Sequence, residues 1–296
     1  MLTSWIDGRY LPHRRARVSV DDRAFLFADA VYEVVAVYDG RFIDARLHME
    51  RLANSLDGLR IAPPMTSRAL SLVARELLRR NRLRHGYLYL QITRGSAPRW
   101  HGFPDPPVRA TVFMSVTHKP APGESPARAD DVVSMPDERW QRCDLKTTSL
   151  LANCLAMQDA IDAGGSSPWL VAEDGTVREG ASSNAWIVTR DGVLVTHPLC
   201  RNILGGCTRG RILRLARELQ LRVEERGFSR DEAGEAAEAF ISSSTSFVRP
   251  VVSLDGEVIG DGGAGEVSLR LYEAFIDSLR RGDDLTSGLD DNDIRH

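Results

Sequence analysis

Asp-Gly pairs at 39–40, 174–175, 191–192 and 255–256 each sit between runs rich in β-branched and aromatic residues, and they commit both halves of this 296-residue chain to hairpins. Such a pair readily takes up the left-handed backbone that a tight hairpin turn demands. Between the first pair and the other three lies the clearest break in composition, Pro-Ala-Pro-Gly-Glu-Ser-Pro-Ala-Arg-Ala-Asp over residues 120–130. A stretch of that kind reads as a domain boundary. The expected organisation is an N-terminal α/β domain over 1–119, a linker over 120–130, a C-terminal α/β domain over 131–281 and a frayed acidic tail over 282–296.

The first half opens with strands over 31–37 and 41–43. Helices over 46–59 and 67–83 follow, the second presenting Leu70, Val73, Leu77 and Leu78 at helical spacing with arginines opposite. Strands over 86–93 and 109–117 flank a loop containing Pro98, Pro104, Pro106 and Pro107. In the second half, helices are expected over 148–163, 208–221 and 265–281, interleaved with the remaining hairpins. Two units of mixed, largely antiparallel sheet leave a cleft between them, a usual place for a ligand. The sequence shows no internal repeat.

Charged residues make up 27% and hydrophobic ones 43%, with a net charge of −3, so neither disorder nor a basic nucleic-acid footprint is indicated. No apolar run reaches the length of a bilayer span, and the N-terminus lacks a basic head followed by an apolar run. A soluble cytoplasmic protein with a small-molecule partner, and with no nucleic acid or membrane to bind, is the expectation. Cys143, Cys154, Cys200 and Cys207 form no Cys-x-x-Cys pair and read as free, mostly buried thiols. The histidines never pair at metal-ligand spacing, so no metal site is expected. Chemistry is left to side chains or to an organic cofactor.

Lysine occurs only at 119 and 146, nearly all of the 38 basic residues being arginine. Arginine serves as surface charge, but its guanidinium does not lose a proton to act as an amine nucleophile. Lys119, in a Pro- and Gly-rich stretch, reads as exposed connector. Lys146 stands in Cys-Asp-Leu-Lys-Thr-Thr directly before an apolar-periodic segment. It is either a Schiff-base lysine or the partner of a carboxylate such as Asp144.

Other residues carry weaker signals. Leu204-Gly205-Gly206-Cys207-Thr208 opens a helix and can turn backbone N–H groups and a hydroxyl towards a phosphate monoester; the alternative is plain structural punctuation. Ser242 to Ser246, with Thr245 among them, end a strand in a hydroxyl cluster or a polar turn. Glu179, beside Gly180 and small residues, can face a pyridine nitrogen and favour its protonated form, or be surface acid. Arg51 reads as solvated surface unless the fold places it in the cleft.

Lys146, then Glu179 33 residues later, the Gly-Gly helix start and the hydroxyls near 243 fall in an order that resembles the class IV aminotransferases. These are the fold-type IV pyridoxal-phosphate enzymes, and the likeness runs over about residues 5–280. The resemblance implies a two-domain α/β (α+β) architecture with pyridoxal 5′-phosphate in the interdomain cleft. It makes Lys146 the Schiff-base lysine and sets Glu179 against the pyridine nitrogen. Arg51, Cys207, Thr208 and Ser244 would hold the phosphate, and Leu204 and Ser243 would pack on the ring. Within the family, Ala30-Val31-Tyr32-Glu33 and Arg99-Trp100-His101 look like the D-amino-acid transaminases. There Tyr32, Arg99 and His101 would trap the substrate carboxylate, the last two reaching in from the partner of a homodimer. The implied activity is ping-pong amino transfer between D-amino acids, such as D-alanine and D-glutamate, and 2-oxo acids. Phe247, Cys207 and Ala181 depart from the usual pattern at the rim of the pocket. Branched-chain L-amino-acid transaminase, (R)-amine transaminase and aminodeoxychorismate lyase are the rivals within the family, and a cofactor-free binding protein is the rival outside it.

Overall fold

A computed structural model describes residues 2–126 and 128–282; the acidic tail from residue 283 onward lies outside the described residues. The chain divides into two compact units, one of residues 2–121 with Leu145–Ser149, the other of Pro122–Asp144 with residues 150–282. Leu145–Ser149 therefore goes with the first unit rather than with the 131–281 segment around it.

The first unit runs β1 (Thr3–Ile6), β2 (Arg9–Pro12), α1 (Arg23–Phe27), β3 (Ala30–Tyr38), β4 (Arg41–Phe42), α2 (Ala45–Gly58), α3 (Ser67–Asn81), β5 (Gly86–Thr93) and β6 (Val112–His118). Its antiparallel sheet has the order β2-β1-β6-β5-β3-β4. The β3–β4 turn is made by Asp39 and Gly40, both with positive φ (47° and 76°). Alternation along the strands sorts the two faces. Val31 pairs with Ile92, Glu33 with Leu90 and Val35 with Leu88, and on the far side of β5 these meet Val112, Met114 and Val116. That face packs with Leu52, Leu56, Leu70, Leu77 and Leu78 of α2 and α3. Each such side chain contributes about 1.5–3 kcal/mol by leaving water. Tyr32, Tyr89 and Gln91 stand on the other face.

The second unit runs β7 (Asp130–Pro136), α4 (Leu151–Asp162), β8 (Ser167–Val171), β9 (Val177–Gly180), β10 (Asn184–Val188), β11 (Val193–Thr196), α5 (Cys207–Glu218), β12 (Arg222–Glu225), α6 (Arg230–Gly234), β13 (Glu238–Ser243), β14 (Phe247–Leu254), β15 (Glu257–Val258) and α7 (Glu266–Arg281). Sheet order is β12-β11-β10-β13-β14-β7-β8-β9, with β15 on β14, and both parallel and antiparallel pairs occur. Every residue of β10 is buried, because both faces of this central strand are covered. Ala185 and Ile187 join the core with Trp169 and Phe228, while Trp186 stacks on Phe240 at 5.4 Å on the opposite face. No helix among the described residues is long and apolar enough to cross a membrane.

Two expected elements begin later than the pattern suggests. The helix expected from 148 starts at Leu151, because the preceding residues are drawn into pairing with β3. The strand expected from 109 starts at Val112, where the Asp7 carboxylate accepts from the backbone N–H. Only two of the four thiols, Cys143 and Cys207, are buried; Cys154 and Cys200 are exposed, and all four are free.

Candidate active site

Lys146 lies on an extended segment laid along β3. The Tyr32 N–H donates to the Lys146 carbonyl (3.0 Å), the Thr148 N–H donates to Ala30 (3.1 Å), and Val31 and Thr147 form an antiparallel bridge. From α2 the Ser55 hydroxyl accepts from the Lys146 N–H at 3.0 Å. Gly58, three residues on, leaves room for the Leu145 side chain, which any Cβ there would strike. These contacts aim the half-buried Lys146 side chain at the aromatic face of the sheet, with Nζ 4.3 Å from the centroid of the Tyr32 ring. Tyr32 stacks on Tyr89 (5.8 Å, 27°), whose hydroxyl donates to Gln91. Asp144, the alternative partner for Lys146, pairs with Arg142, and Lys119 is exposed.

On the core face of β3, Glu33 is fully buried. Arg51 grips it through Nε (2.9 Å) and Nη2 (2.7 Å), and His48 Nδ1 lies 2.6 Å away. His48 and Arg51 reach the same carboxylate because they are three apart on α2. Burial would push Glu33 up, but the Arg51 charge and hydrogen bonds, with His48 behind them, hold it at about 2. Arg51 is thus no surface arginine; its side chain is 11% exposed.

Arg99 and His101 lie on the proline-rich loop after β5, both exposed, and both meet Phe27: Arg99 Cζ and the His101 ring are each 5.3 Å from its centroid. The loop is pinned from below by buried Arg23, which donates from Nη1 to the carbonyls of Trp100 (2.6 Å) and Gly102 (3.2 Å) while Asp29 holds its Nε.

In the second unit, Glu179 is the penultimate residue of β9 and is 4% exposed. It accepts from the Leu204 N–H (3.1 Å to each oxygen), from Asn184 Nδ2 (3.1 Å) and from Arg139 Nη1 (2.5 Å). Asn184 also donates to the Leu204 carbonyl, tying carboxylate and loop together. Arg139 is shared, its Nε and Nη2 being taken by Asp137. Burial pushes Glu179 up to about 7, Arg139 and the Leu204 N–H pulling only part of the way back. Immediately after Leu204, α5 begins with Gly206 as an N-cap that offers no side chain, so its first-turn N–H groups have no side-chain cap. Thr208 and Cys207 are buried in that turn.

Ladder pairing of Asn184 with Ser242 brings the end of β13, and with it Ser243 and Ser244, to the same end of the sheet. The Ser243 hydroxyl is occupied within its own turn by Ser246 (2.7 Å), whereas those of Thr208 and Ser244 make no hydrogen bond with a described residue. Phe247, at φ 56°, is locked on Phe275 of α7 at 4.7 Å. Each unit therefore gathers its own share of the expected residues: Tyr32, Lys146 and Arg51 in the first, Glu179, Leu204, Cys207, Thr208, Ser243 and Ser244 in the second. Arg99 and His101 form a separate exposed group.

Sequence reasoning missed Glu33, His48, Arg139 and Asn184. Glu33 carried a signal, an acid in the apolar stripe of a strand that must be paired to be buried. Arg139 carried none among so many arginines.

The chain matches the amino-transferase class IV family over residues 30–254. It is 34% identical to D-alanine aminotransferase of Staphylococcus haemolyticus over 275 residues, 93% of this chain and 97% of the relative. With the Bacillus licheniformis D-alanine aminotransferase it shares 35% over 277 residues, 92% and 95% of the two chains. Solved structures of branched-chain amino acid aminotransferases superpose closely. That of Escherichia coli has a TM-score of 0.85 at 26% identity, covering 97% of this chain and 96% of that one. Another, from Thermoproteus uzoniensis with norvaline, has 0.82 at 25%, covering 93% of each chain. A third branched-chain enzyme, solved with pyridoxamine 5′-phosphate, has 0.86 at 26%, covering 94% of each. The protein belongs to the class IV aminotransferases, whose cofactor is pyridoxal 5′-phosphate.

The residues present fit that cofactor. Its aldehyde calls for an amine, which the first unit has in Lys146, and its ring nitrogen calls for a buried acceptor, which the second unit has in Glu179. Its phosphate needs donors not already used, and the uncapped start of α5 with the Thr208 and Ser244 hydroxyls offers them.

Proposed function

We propose that this aminotransferase moves amino groups between D-amino acids, D-alanine and D-glutamate among them, and 2-oxo acids. One observation carries the reading: the Lys146 amine stands over the ring of Tyr32, the residue that matches the carboxylate trap of D-amino-acid transaminases. The curated D-alanine aminotransferase relatives support the same substrate class. Pyridoxal phosphate, when bound, supplies the electron sink that makes the substrate Cα–H acidic. Lys146 would hold the cofactor, and its free amine would be the base that takes the Cα proton through Nζ. Glu179 accepts a hydrogen bond from the ring nitrogen. Thr208, Ser244 and Cys207 of the second unit bind the phosphate, joined by Arg51 of the first, whose Nε and Nη2 stay on Glu33, while Leu204 and Ser243 line the ring. Tyr32, Arg99 and His101 hold the substrate carboxylate and so choose which face of Cα presents its hydrogen to Lys146. Donor and acceptor use the same residues in turn, which gives ping-pong kinetics.

The enzyme acts as a cytoplasmic homodimer in which Arg99 and His101 serve the partner's site. In a single chain both are exposed, as are Trp100 between them (71%) and Phe25 of α1 (72%), apolar side chains suited to being covered by a second copy.

A panel of D- and L-amino donors with 2-oxoglutarate tests the substrate class. D-alanine is expected to be turned over and L-leucine not; comparable rates would hand the protein to the branched-chain reading. Arg99→Ala should raise KM for D-alanine and 2-oxoglutarate by about tenfold to a hundredfold with cofactor content unchanged. Mixing Lys146→Ala and Arg99→Ala subunits should restore activity, since one site of each mixed dimer is then complete; no recovery would remove the role assigned to the partner. Borohydride reduction followed by peptide mass analysis should find the cofactor on Lys146.

A further inference from the structure

We infer that a cavity of about 410 Å³ within the first unit is a second ligand site, built for a carboxylate carried on an apolar body. Its walls are largely apolar, Trp5, Ile61 and Phe103 among them, and its size falls in the usual range for small-molecule sites, about 300–1,000 Å³. The charge around it is one-sided. Arg60, Arg94 and Arg109 line it, against the single acid Asp7, which is already accepting from the Val112 N–H at 2.9 Å. Arg94 is spoken for by Asp29 (2.7 and 3.0 Å) and by the carbonyls of Leu59 and Arg60. Even there positive charge is in excess, because Asp29 also serves Arg23.

Arg60 and Arg109 are different. Neither guanidinium makes a hydrogen bond or ion pair with a described residue, and Arg60 merely lies over the Phe103 ring, 4.7 Å from its centroid. Two uncommitted guanidiniums lining one cavity, one of them over an aromatic ring, are a receptor for a planar anion, since the fork of N–H groups matches the two oxygens of a carboxylate. The lining holds no Ser, Thr, Asn or Gln, so the rest of the occupant must be apolar. Arg94, Phe103 and Arg109 belong to the loop that carries Arg99 and His101, so an occupant restrains that loop. This second step rests on the substrate-binding role proposed above for those two residues.

The probe is 3-phenylpropionate, which has neither an amino nor an oxo group to react, titrated calorimetrically into the holoenzyme beside its neutral counterpart 3-phenylpropan-1-ol. Binding of the acid is expected, with at least a tenfold loss in both Arg60→Ala and Arg109→Ala, and no detectable binding of the alcohol. Both arginines are exposed, so the variants are expected to keep wild-type melting temperatures and D-alanine turnover. Crystals soaked with the acid should show it in the cavity. Unchanged affinity in both variants, equal binding of the alcohol, or no binding of the acid would each overturn the site. A KM for D-alanine that ignores the probe overturns the loop coupling alone and leaves the titration to judge the site.

Discussion

Two glutamates, one in each unit, are both buried, and each faces an arginine, yet they end at opposite extremes. Glu33 is held at about 2 and Glu179 is pushed up to about 7. Burial acts on both in the same direction, so the difference lies in what answers it. Arg51 gives Glu33 two parallel N–H groups, and His48 adds a third contact. Arg139 gives Glu179 one N–H and spends its fork on Asp137, whose own charge pushes Glu179 further up. The first arrangement makes a permanent structural ion. The second leaves a carboxylate short of positive charge, a fitting place for a cationic ring nitrogen.

The sharpest way to break this comparison is to remove the structural ion. Glu33→Gln leaves the Arg51 guanidinium buried without its counter-charge and should cost about 3–5 kcal/mol of folding free energy. Urea denaturation near neutral pH measures it, and a loss under about 1 kcal/mol would mean that the pair does not hold the first unit together.

Next comes a pair of pH dependences of opposite sign in the cofactor-free protein. Glu33 titrates lower when folded than its ordinary 4.5, so its contribution is complete above that value and is lost as pH falls towards 2. Glu179 titrates higher when folded, so its contribution is complete below 4.5 and is lost as pH rises through about 7. Each swing is about 3 kcal/mol. Stability measured from acid to mildly alkaline buffer should therefore lose its upper slope in Glu179→Gln and keep it in Glu33→Gln. The same slope in both variants would dismiss the contrast.

How much of this is legible in the sequence differs between the two glutamates. The Asp-Gly turns, the two helices after the first hairpin and the strand at 86–93 are readable because each follows from local pattern. Lys146 is conspicuous because arginine has displaced lysine nearly everywhere else. Glu179 and the start of α5 emerge only through likeness to a family, as neither a lone acid nor a Gly-Gly pair announces itself. Arg139, Asp137, Asn184 and His48 are invisible, since their roles depend on which strands become neighbours. The start of α4 is misplaced for a related reason: residues 147–149 carry helix-compatible neighbours, but β3 claims them first.

A smaller effect probes the donors around Glu179. A Cβ on Gly206 would run into Asn184 Oδ1, and Asn184 is the residue that binds both Glu179 and Leu204. Gly206→Ala should cost about 1–3 kcal/mol from crowding alone. It should also raise the Glu179 titration by loosening one of its donors. A variant as stable as the wild type, with unchanged titration, would show that Asn184 has other room.

The mildest change tests why Arg139 fails to do for Glu179 what Arg51 does for Glu33. Asp137→Asn keeps the shape and an acceptor for Arg139 but deletes a negative charge that both competes for the guanidinium and repels Glu179. The Glu179 midpoint, followed by carboxyl NMR in the cofactor-free protein, should fall by about one pH unit. Arg139→Met should move it the other way, and paired displacements of opposite sign are something that general loosening of the second unit would not produce. If both variants shift the midpoint upward, Asp137 is serving chiefly to orient Arg139, and the contrast between the two glutamates does not rest on a divided charge.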